Sequence, residues 1–212
     1  LANPGTYDLS EANGAVTWES ENGWVWEHSE EKYFTTGYSV VGLDHTLIVQ
    51  AVSRSGANWY YAAGAYDGGG FDYFGVGPKN NSQTIYLNGA SHIGSFGSTD
   101  SQNVAVAGEN CYLNGVFDGT IVPEATPSHP FLVGSLWSGE HWYTGDIYAL
   151  ALYDCVLDSS QVSYVASMME SLPEQNLTVS NLDPTEKIYK SGYKWTNFME
   201  NQGIKRTASG LT

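Results

Sequence analysis

The sequence predicts an all-β fold, an antiparallel β-sandwich that ends in one short helix and an extended tail. Three observations predict it. Apolar and polar residues alternate in short segments, turn-forming residues separate those segments, and helical periodicity occurs in one place. The 212 residues include 24 Gly, 15 Tyr and 7 Trp. Aromatic side chains suit a pleated surface and Gly suits tight turns, and a chain of this length can bury a full core as one domain.

Two long segments show the clearest alternation. In residues 45–54, one face of the predicted strand carries Leu47, Val49 and Ala51, and the other carries Ile48 and Val52. In residues 146–153, alternation places four side chains on one face: Ile147, Ala149, Ala151 and Tyr153. The opposite face of this second segment is apolar as well, so we predict a central strand that is covered on both sides.

Shorter segments supply a hairpin and a pair of core aromatics. Asn114-Gly115 lies between residues 111–113 and 116–117, and both residues of this pair tolerate the positive φ that a tight hairpin requires. Trp24 and Trp26 share one face of a short extended stretch. We predict that these two rings pack in the core, between the sheets.

One helix is predicted after residue 158. Asp158 can cap it, Gln161 is the capping-box residue three positions later, and Leu157 with Val162 forms a hydrophobic staple. An apolar stripe at helical spacing follows: Val162, Val165, Ala166 and Met169. Pro173 ends the pattern, and we predict that the helix packs on the sandwich.

The charge distribution divides the chain into two predicted units, a sandwich of residues 1–173 and an extended arm or linker of residues 174–212. The first holds 19 acidic and three basic residues, and the second holds four acidic and five basic residues, which gives the net charge of −15. An acidic body repels a phosphate backbone, so nucleic-acid binding is excluded. The apolar runs are too short to span a membrane, so membrane insertion is excluded too.

The arm has its own composition, with Tyr189, Tyr193, Trp195 and Phe198 interleaved with lysines. One interpretation is that it contacts protein neighbours, which would make the chain part of a homo-oligomer or a larger assembly. A poorly ordered terminus is the alternative. Because the sequence begins at Leu1, we expect a processed product or an excised piece.

Cys111 and Cys155 are the two cysteines of the chain. Two in 212 residues do not form a disulfide framework. We favour free, buried thiols, and the sequence leaves open whether the two meet.

Four segments in series resemble a known family. They are Tyr-Phe-Thr-Thr-Gly-Tyr at 33–38, Asn-Cys-Tyr-Leu-Asn-Gly-Val at 110–116, Phe-Leu-Val-Gly at 131–134, and the run from Gly145 to Asp158. Their order and spacing over residues 14–172 are similar to those of bacterial and phage laminin-G-like domains, in the concanavalin A-like superfamily. The resemblance implies a jelly-roll of two antiparallel sheets. It does not decide function, because that superfamily includes lectins, adhesion domains, virion modules and enzymes.

The sequence assigns no catalytic residue, and we predict that the chain is not an enzyme. Retaining glucanases of the resembled superfamily carry acidic residues at alternate positions of one strand, because nucleophile and acid must share a face. The chain has no such run. Its five histidines are scattered. A glycosidase or polysaccharide lyase assembled from separate strands is the less favoured alternative.

Two groups of aromatic residues are candidates for binding a glycan, because sugar sites combine flat rings with a few polar groups. One group, Trp59 and Tyr60 with Tyr61, follows Asn58. The other lies in residues 135–144, which we predict to be a loop because they contain Gly139 and lack alternation. The candidate ligand-binding residues are Trp59, Tyr60, Trp137, His141, Trp142 and Tyr143.

A cation site is a further hypothesis. Asp67 and Asp72 flank three consecutive glycines, and two carboxylates with free carbonyls suit Ca²⁺. Asp100 and Asp118 are additional candidates, and an acidic turn without an ion is the alternative. No cofactor is required by the pattern.

Together these features predict a non-catalytic binding or adhesion module. Its expected partner is a glycan or surface polysaccharide, and its expected location is extracellular, on a cell or virion surface. The alternative is a virion structural protein, such as a phage fibre or capsid decoration subunit, whose arm mediates assembly.

Overall fold

The structure is a computed structural model that describes residues 10–19, 23–54, 61–66, 68–80, 83–96, 101–137 and 140–171, together with 206–207 and 210–211. Its strands in chain order are β1 (Ser10–Ala12), β2 (Thr17–Glu19), β3 (Gly23–Trp26), β4 (Tyr33–Val41), β5 (Thr46–Ser53), β6 (Ala63–Ala65), β7 (Phe74–Asn80), β8 (Gln83–Asn88), β9 (Ser91–Phe96), β10 (Gln102–Ala107), β11 (Asn110–Leu113), β12 (Val116–Thr120), β13 (Ser128–Val133), β14 (Ser135–Trp137), β15 (Glu140–Trp142) and β16 (Gly145–Tyr153). A short 3₁₀ turn spans His28–Glu30, and the helix α1 spans Ser159–Ser171.

Two seven-stranded antiparallel sheets form the sandwich, as predicted. The front sheet has the order β1-β4-β13-β6-β7-β8-β9, and the back sheet has the order β12-β11-β10-β5-β16-β3-β2. Sequence neighbours often lie in different sheets, since β5 crosses to the back sheet and β6 returns to the front. Strands that alternate between two sheets in this way are typical of a jelly-roll.

The core between the sheets uses the alternation predicted for β5. Leu47, Val49 and Ala51 are fully buried in the inter-sheet cluster, whereas Ile48 lies in a separate cluster beneath the helix. Trp26 is buried in the same inter-sheet cluster, with Trp24 packed against it. The two rings contact each other edge to face with centroids 6.4 Å apart, which confirms their predicted role in packing.

The alternation predicted for the last strand is wrong at one position. A register shift between Ile147 and Ala149 interrupts the pairing of β16 with β5. Ile147 consequently faces the inter-sheet core, while Ala149 and Ala151 lie under the helix. A bulge inserts one residue and reverses the faces that follow it. The strand is central, between β5 and β3, as predicted.

The helix begins with the predicted capping box. Asp158 Oδ1 accepts hydrogen bonds from the backbone N–H groups of Ser160 and Gln161, both at 2.9 Å, and the Asp158 N–H donates to Gln161 Oε1 at 3.0 Å. Leu157 and Val162 are buried together, as the staple requires. The remaining stripe residues, Val165, Ala166 and Met169, are buried as well, so α1 covers the outer face of the back sheet.

The predicted Asn114-Gly115 hairpin joins β11 to β12, and both residues have positive φ. Beyond it, Asp118 joins the edges of the two sheets. Its carboxylate accepts hydrogen bonds from Tyr86 Oη at 2.7 Å and from the Ser95 N–H at 2.9 Å, and also from the Ser95 hydroxyl. These donors belong to β8 and β9, so Asp118 of the back sheet closes one side of the sandwich.

Several predictions concern features at the margins of the sandwich. Cys111 is buried and Cys155 is half-buried, and both are free thiols. Among the described residues, no helix is long and apolar enough to cross a membrane. Most of the arm lies outside the described residues, apart from a two-residue pairing of Arg206–Thr207 with Gly210–Leu211. The division at residue 173 therefore stays a prediction.

Candidate binding site

The outer face of the front sheet carries a shallow apolar surface covered in part by a small hairpin. Within residues 135–144, β14 (Ser135–Trp137) pairs with β15 (Glu140–Trp142), so the predicted loop is wrong for these residues. Each strand is only three residues long, so the sequence cannot show a clear alternation of apolar and polar residues there. Leu136 of the hairpin is buried against Gly64 of β6 and Gly75 of β7.

Gly64 permits this close approach. A Cβ atom at this position would overlap the Leu136 side chain and would lie 2.6 Å from the Phe74 carbonyl oxygen. Leu136 packs with Tyr61, Ile85 and Leu87 in a cluster distinct from the inter-sheet core. Leu136 thus helps to anchor the hairpin on the sheet.

Four aromatic side chains continue from the hairpin across the end of the front sheet. The ring of Trp137 contacts that of Tyr66 at a centroid distance of 6.4 Å, Tyr66 contacts Tyr73 at 5.6 Å, and Tyr73 contacts Phe71 at 6.1 Å. All three contacts are edge to face, with interplanar angles of 71–73°. We call Trp137, Tyr66, Tyr73 and Phe71 the aromatic row.

The aromatic row is accessible and supported. Phe71 is 51% exposed, and the other three rings are half-buried. The six-membered ring of Trp137 lies against the backbone of Gly68, where a Cβ atom would be 3.1 Å from a ring carbon. Edge-to-face contacts hold rings in fixed orientations and contribute about 0.5–1.5 kcal/mol per pair beyond the area they bury. The row therefore presents pre-formed apolar surface to solvent.

The other predicted ligand-binding residues do not belong to the aromatic row. His141 is half-buried and contacts Tyr61 edge to face, with centroids 5.9 Å apart, and Trp142 is half-buried beside it in the chain. Tyr143 is fully buried in the inter-sheet core, so it cannot offer its ring to a ligand in solvent. Trp59 and Tyr60 lie outside the described residues.

Polar groups border the row. Burial raises the pKa of Tyr73, although a hydrogen bond with the Ser91 side chain opposes this and the charge of Glu124 adds to it. Burial also raises the pKa of Tyr61, with further contributions from Tyr73 and Tyr66. Both phenols therefore stay neutral at physiological pH and can donate hydrogen bonds.

Asp72 lies between Phe71 and Tyr73 in the chain, and its Oδ2 is within hydrogen-bond distance of His129 Nε2, at 2.8 Å. The ring of His129 contacts Tyr66 edge to face. Asp67, the other residue of the predicted Ca²⁺ site, lies outside the described residues. Within the described part of the chain, no three His, Cys, Asp or Glu side chains form a group suited to a metal, so the site stays a prediction.

The Asp118 carboxylate, another candidate for a cation, is occupied by protein donors. Burial alone would raise the pKa of Asp118, but the hydrogen bonds from Ser95, Tyr86 and Thr84 outweigh burial and lower it. This residue is a structural bridge. Asp100 lies outside the described residues.

Sequence reasoning named Trp137 but missed the other members of the row. Tyr66, Phe71 and Tyr73 are not among the residues that the sequence singled out. The available signal was the run of three glycines at 68–70, which has aromatic residues on both sides. A glycine turn with flanking rings brings those rings together wherever the turn reverses the chain.

No protein-family model matches the chain, and no curated protein matches it, so the resemblance to laminin-G-like domains is not confirmed. Solved structures do match. Domain 4 of AbnA, a GH43 extracellular arabinanase from Geobacillus stearothermophilus, in complex with arabinotriose, is 16% identical, with a TM-score of 0.51 over 75% of this chain and 81% of that one.

Two other similar structures are the binding domain of botulinum neurotoxin serotype G and a sialidase module. The first is 12% identical with a TM-score of 0.58, and the match covers 80% of this chain and 48% of that one, so the chain spans about half its length. The second, the CBM40 of the Ruminococcus gnavus IT-sialidase bound to α2,3-sialyllactose, is 15% identical with a TM-score of 0.48 over 60% of this chain and 84% of that one. The likenesses at a TM-score above 0.5 support a jelly-roll β-sandwich fold.

Proposed function

We propose that the chain is a non-catalytic carbohydrate-binding module that binds a glycan at the aromatic row. The observation that carries this proposal is the row itself, four rings in contact on the outer side of the front sheet, with Trp137 and Phe71 at its two ends. Flat rings stack on the C–H faces of sugars, and nearby polar groups bond to the hydroxyls. Several rings in series suit an extended ligand.

Polar groups beside the aromatic row are available to bond to the sugar hydroxyls. The neutral phenol of Tyr73 can donate to a sugar hydroxyl, Ser91 is bonded to that phenol, and Asp72 is next to Tyr73 in the chain. His141 and Trp142 extend the same surface along the hairpin. Trp59 and Tyr60 lie outside the described residues and directly precede Tyr61 in the sequence, and they stay in the proposal on that basis.

The fold gives additional support. Domain 4 of AbnA has a similar fold and was solved in complex with arabinotriose. At 16% identity this likeness gives the architecture, and the glycan of the present chain is inferred from its own rings. Binding of a glycan or surface polysaccharide would place the protein outside a cell, on a cell or virion surface.

A pair of matched variants tests the proposal. We expect Trp137→Ala to weaken binding of the best ligand from a glycan array by at least tenfold, because it removes one end of the row. Phe117→Ala removes a more exposed ring, 57% accessible, from the edge of the back sheet, and it should leave binding unchanged. Isothermal titration calorimetry of both variants measures this difference. Equal loss of affinity in both would contradict the site, and absence of binding in the parent protein would contradict the function.

The non-catalytic part of the proposal has its own test. The described carboxylates nearest the row are Asp72, which is paired with His129, and Glu124. We expect no new reducing ends when the protein is incubated with the oligosaccharides that it binds. Release of shorter products, lost in Asp72→Asn but retained in Glu11→Gln, would show instead that the row is an active site.

An assembly subunit of a virion or cell surface is the second candidate, and the composition of residues 174–212 favours it. That segment has a net charge of +1 and four interleaved aromatic residues, whereas residues 1–173 have a net charge of −16. We expect deletion of residues 174–212 to leave glycan binding intact. Loss of an oligomer in size-exclusion chromatography after the same deletion would support a role of the arm in assembly.

A further inference from the structure

The surface that carries the aromatic row belongs to a strongly acidic body. Residues 1–173 contain 19 acidic residues and three basic ones, Lys32, Arg54 and Lys79. This imbalance is a property of the sequence and does not depend on any loop conformation. An anionic ligand that approaches the row therefore meets a repulsive potential unless one of these three cations is available to it.

Arg54 is already bound to carboxylates. Its Nη2 lies 2.7 Å from Asp146 Oδ1, its Nε donates to Asp146 Oδ2 at 3.2 Å, and its Nη1 lies 3.5 Å from Glu27 Oε1. The Asp146 side chain is 6% exposed. Removing Arg54 from it would leave a buried carboxylate uncompensated, which is costly, so Arg54 cannot turn to an anionic ligand.

The other two cations do not belong to the row. Lys32 Nζ forms an ion pair with Glu30 Oε2 at 3.0 Å, and Lys32 precedes β4, near the β1 edge of the front sheet. Lys79 lies near the end of β7 that is remote from Tyr73, five residues beyond Phe74.

Acidic residues, in contrast, lie beside the row. Asp72 stands between Phe71 and Tyr73 in the chain, and the charge of Glu124 acts on the Tyr73 phenol. Asp67 and Glu140 are next to Tyr66 and His141 in the sequence. The imidazole of His129 contacts Tyr66 but is already hydrogen-bonded to Asp72, so a carboxylate or sulfate on a bound sugar would approach like charges.

From this charge distribution we infer that the site selects uncharged glycans and excludes acidic ones, such as sialylated, uronate-containing or sulfated oligosaccharides. The inference rests on the proposed function. For a glycan that binds, adding one carboxylate or sulfate should weaken binding about tenfold or more at low ionic strength. The difference should shrink with added salt, since the Debye length falls from about 30 Å at 0.01 M to about 8 Å at 0.15 M.

The test uses the full chain and an array that contains neutral oligosaccharides with their sialylated, sulfated and uronic-acid counterparts, at about 0.01 M and about 0.15 M salt. We expect retention of neutral members, weak retention of their acidic counterparts, and a smaller gap at the higher salt. Acidic members bound as tightly as neutral ones would overturn the inference and leave the proposed function intact. Retention of no glycan at all would instead contradict the proposed function.

Two charge-matched variants distinguish the local effect from the total charge. Glu124→Gln removes an exposed acid next to the row, and Glu11→Gln removes an exposed acid from β1, at the opposite edge of the front sheet. We expect Glu124→Gln to reduce the ratio of the affinities for neutral and acidic glycans about twofold, as the loss of one partly screened charge would. Glu11→Gln should leave that ratio unchanged. Equal narrowing in both would contradict the assignment to this site.

Discussion

The outer faces of the two sheets are covered by different elements and to different extents. The back sheet presents Ile48, Ala105 and Ala149 to the helix, which covers them with Val162 and Met169, and these five residues are 5% exposed or less. The front sheet is partly covered by a short hairpin, which packs on it through Leu136 and through ring contacts of Trp137 and His141. Beside that hairpin, rings of the aromatic row remain half-buried.

This difference shows how one architecture separates stability from recognition. A thirteen-residue helix with a capping box can seal a face built from small side chains. A hairpin with three-residue strands cannot, so the large rings beside it keep part of their surface in water. The sealed face contributes to stability, and the incompletely covered face is available to a ligand.

The largest expected effect comes from opening the sealed face. Met169 is fully buried on the side of the helix that packs against the back sheet, and Met169→Ala should lower the free energy of unfolding by about 2–5 kcal/mol, because it leaves a cavity. Chemical denaturation measures this loss. Glycan affinity of the folded variant should equal that of the parent protein, and a parallel loss of affinity would mean that the two faces are not independent.

A smaller effect is expected from overfilling the contact under the hairpin. Gly64→Ala should destabilise the protein by about 1–3 kcal/mol, since the new methyl group meets Leu136 and the Phe74 carbonyl. Because the hairpin positions Trp137, affinity should fall together with stability. Gly42→Ala adds a methyl group where nothing lies within 4 Å, but at a φ of +94°. It should lower stability through backbone strain and leave affinity unchanged, so it tests whether affinity falls only when the hairpin contact is disturbed.

The bridge between the sheets should matter for stability and not for recognition. Asp118→Asn weakens the hydrogen bonds from Tyr86 and Ser95, and we expect a loss of about 1–2 kcal/mol at neutral pH. Because the folded-state pKa of Asp118 is lowered, this contribution is present above pH 3.8 and is lost as the pH falls through the lowered value. Denaturation at several pH values should therefore show the two proteins converge in acid. Glu109→Gln, at an exposed acid, is the control.

The smallest expected effect is a pH dependence at one end of the sandwich. Burial lowers the pKa of His45 below 6.5, although Asp154 and Asp44 oppose this, and its Nε2 is 2.9 Å from Tyr38 Oη. Because the pKa of His45 is lowered in the folded state, its contribution to the free energy of unfolding is fully present above pH 6.5 and decreases as the pH falls below that value. Thermal melts should show a fall in Tm of a few degrees on acidification. His45→Gln should have a smaller fall over the same pH range, and an equal fall would contradict the assignment.

The sequence predicted α1 and the sheet face that it covers because the signals for both are local in the chain. A capping box, a staple and a stripe at helical spacing are all contained within residues 157–169, and the structure confirms each of them. The alternation of β5 was equally local. It failed in β16, where a bulge at Tyr148 depends on pairing with a distant strand and leaves no mark in the sequence.

The candidate site was harder to predict because it is assembled from segments far apart in the chain. Tyr66 and Trp137 are in contact although they are far apart in the sequence. Loop aromatics pointed to Trp137 and His141 correctly as accessible residues, but the same logic included Tyr143, which the chain turns into the core. Composition identifies rings that could bind, and only the register of β6, β7 and the hairpin decides which of them face solvent.

The most direct test of the account is to map the ligand on the molecule. Backbone amide chemical shifts of ¹⁵N-labelled protein would be followed during titration with the tightest-binding neutral oligosaccharide. We predict that the perturbed amides cluster in residues 61–73 and 135–142, with little change in α1 (Ser159–Ser171). Perturbations concentrated in α1 or in β12 (Val116–Thr120), with the aromatic row unaffected, would contradict it.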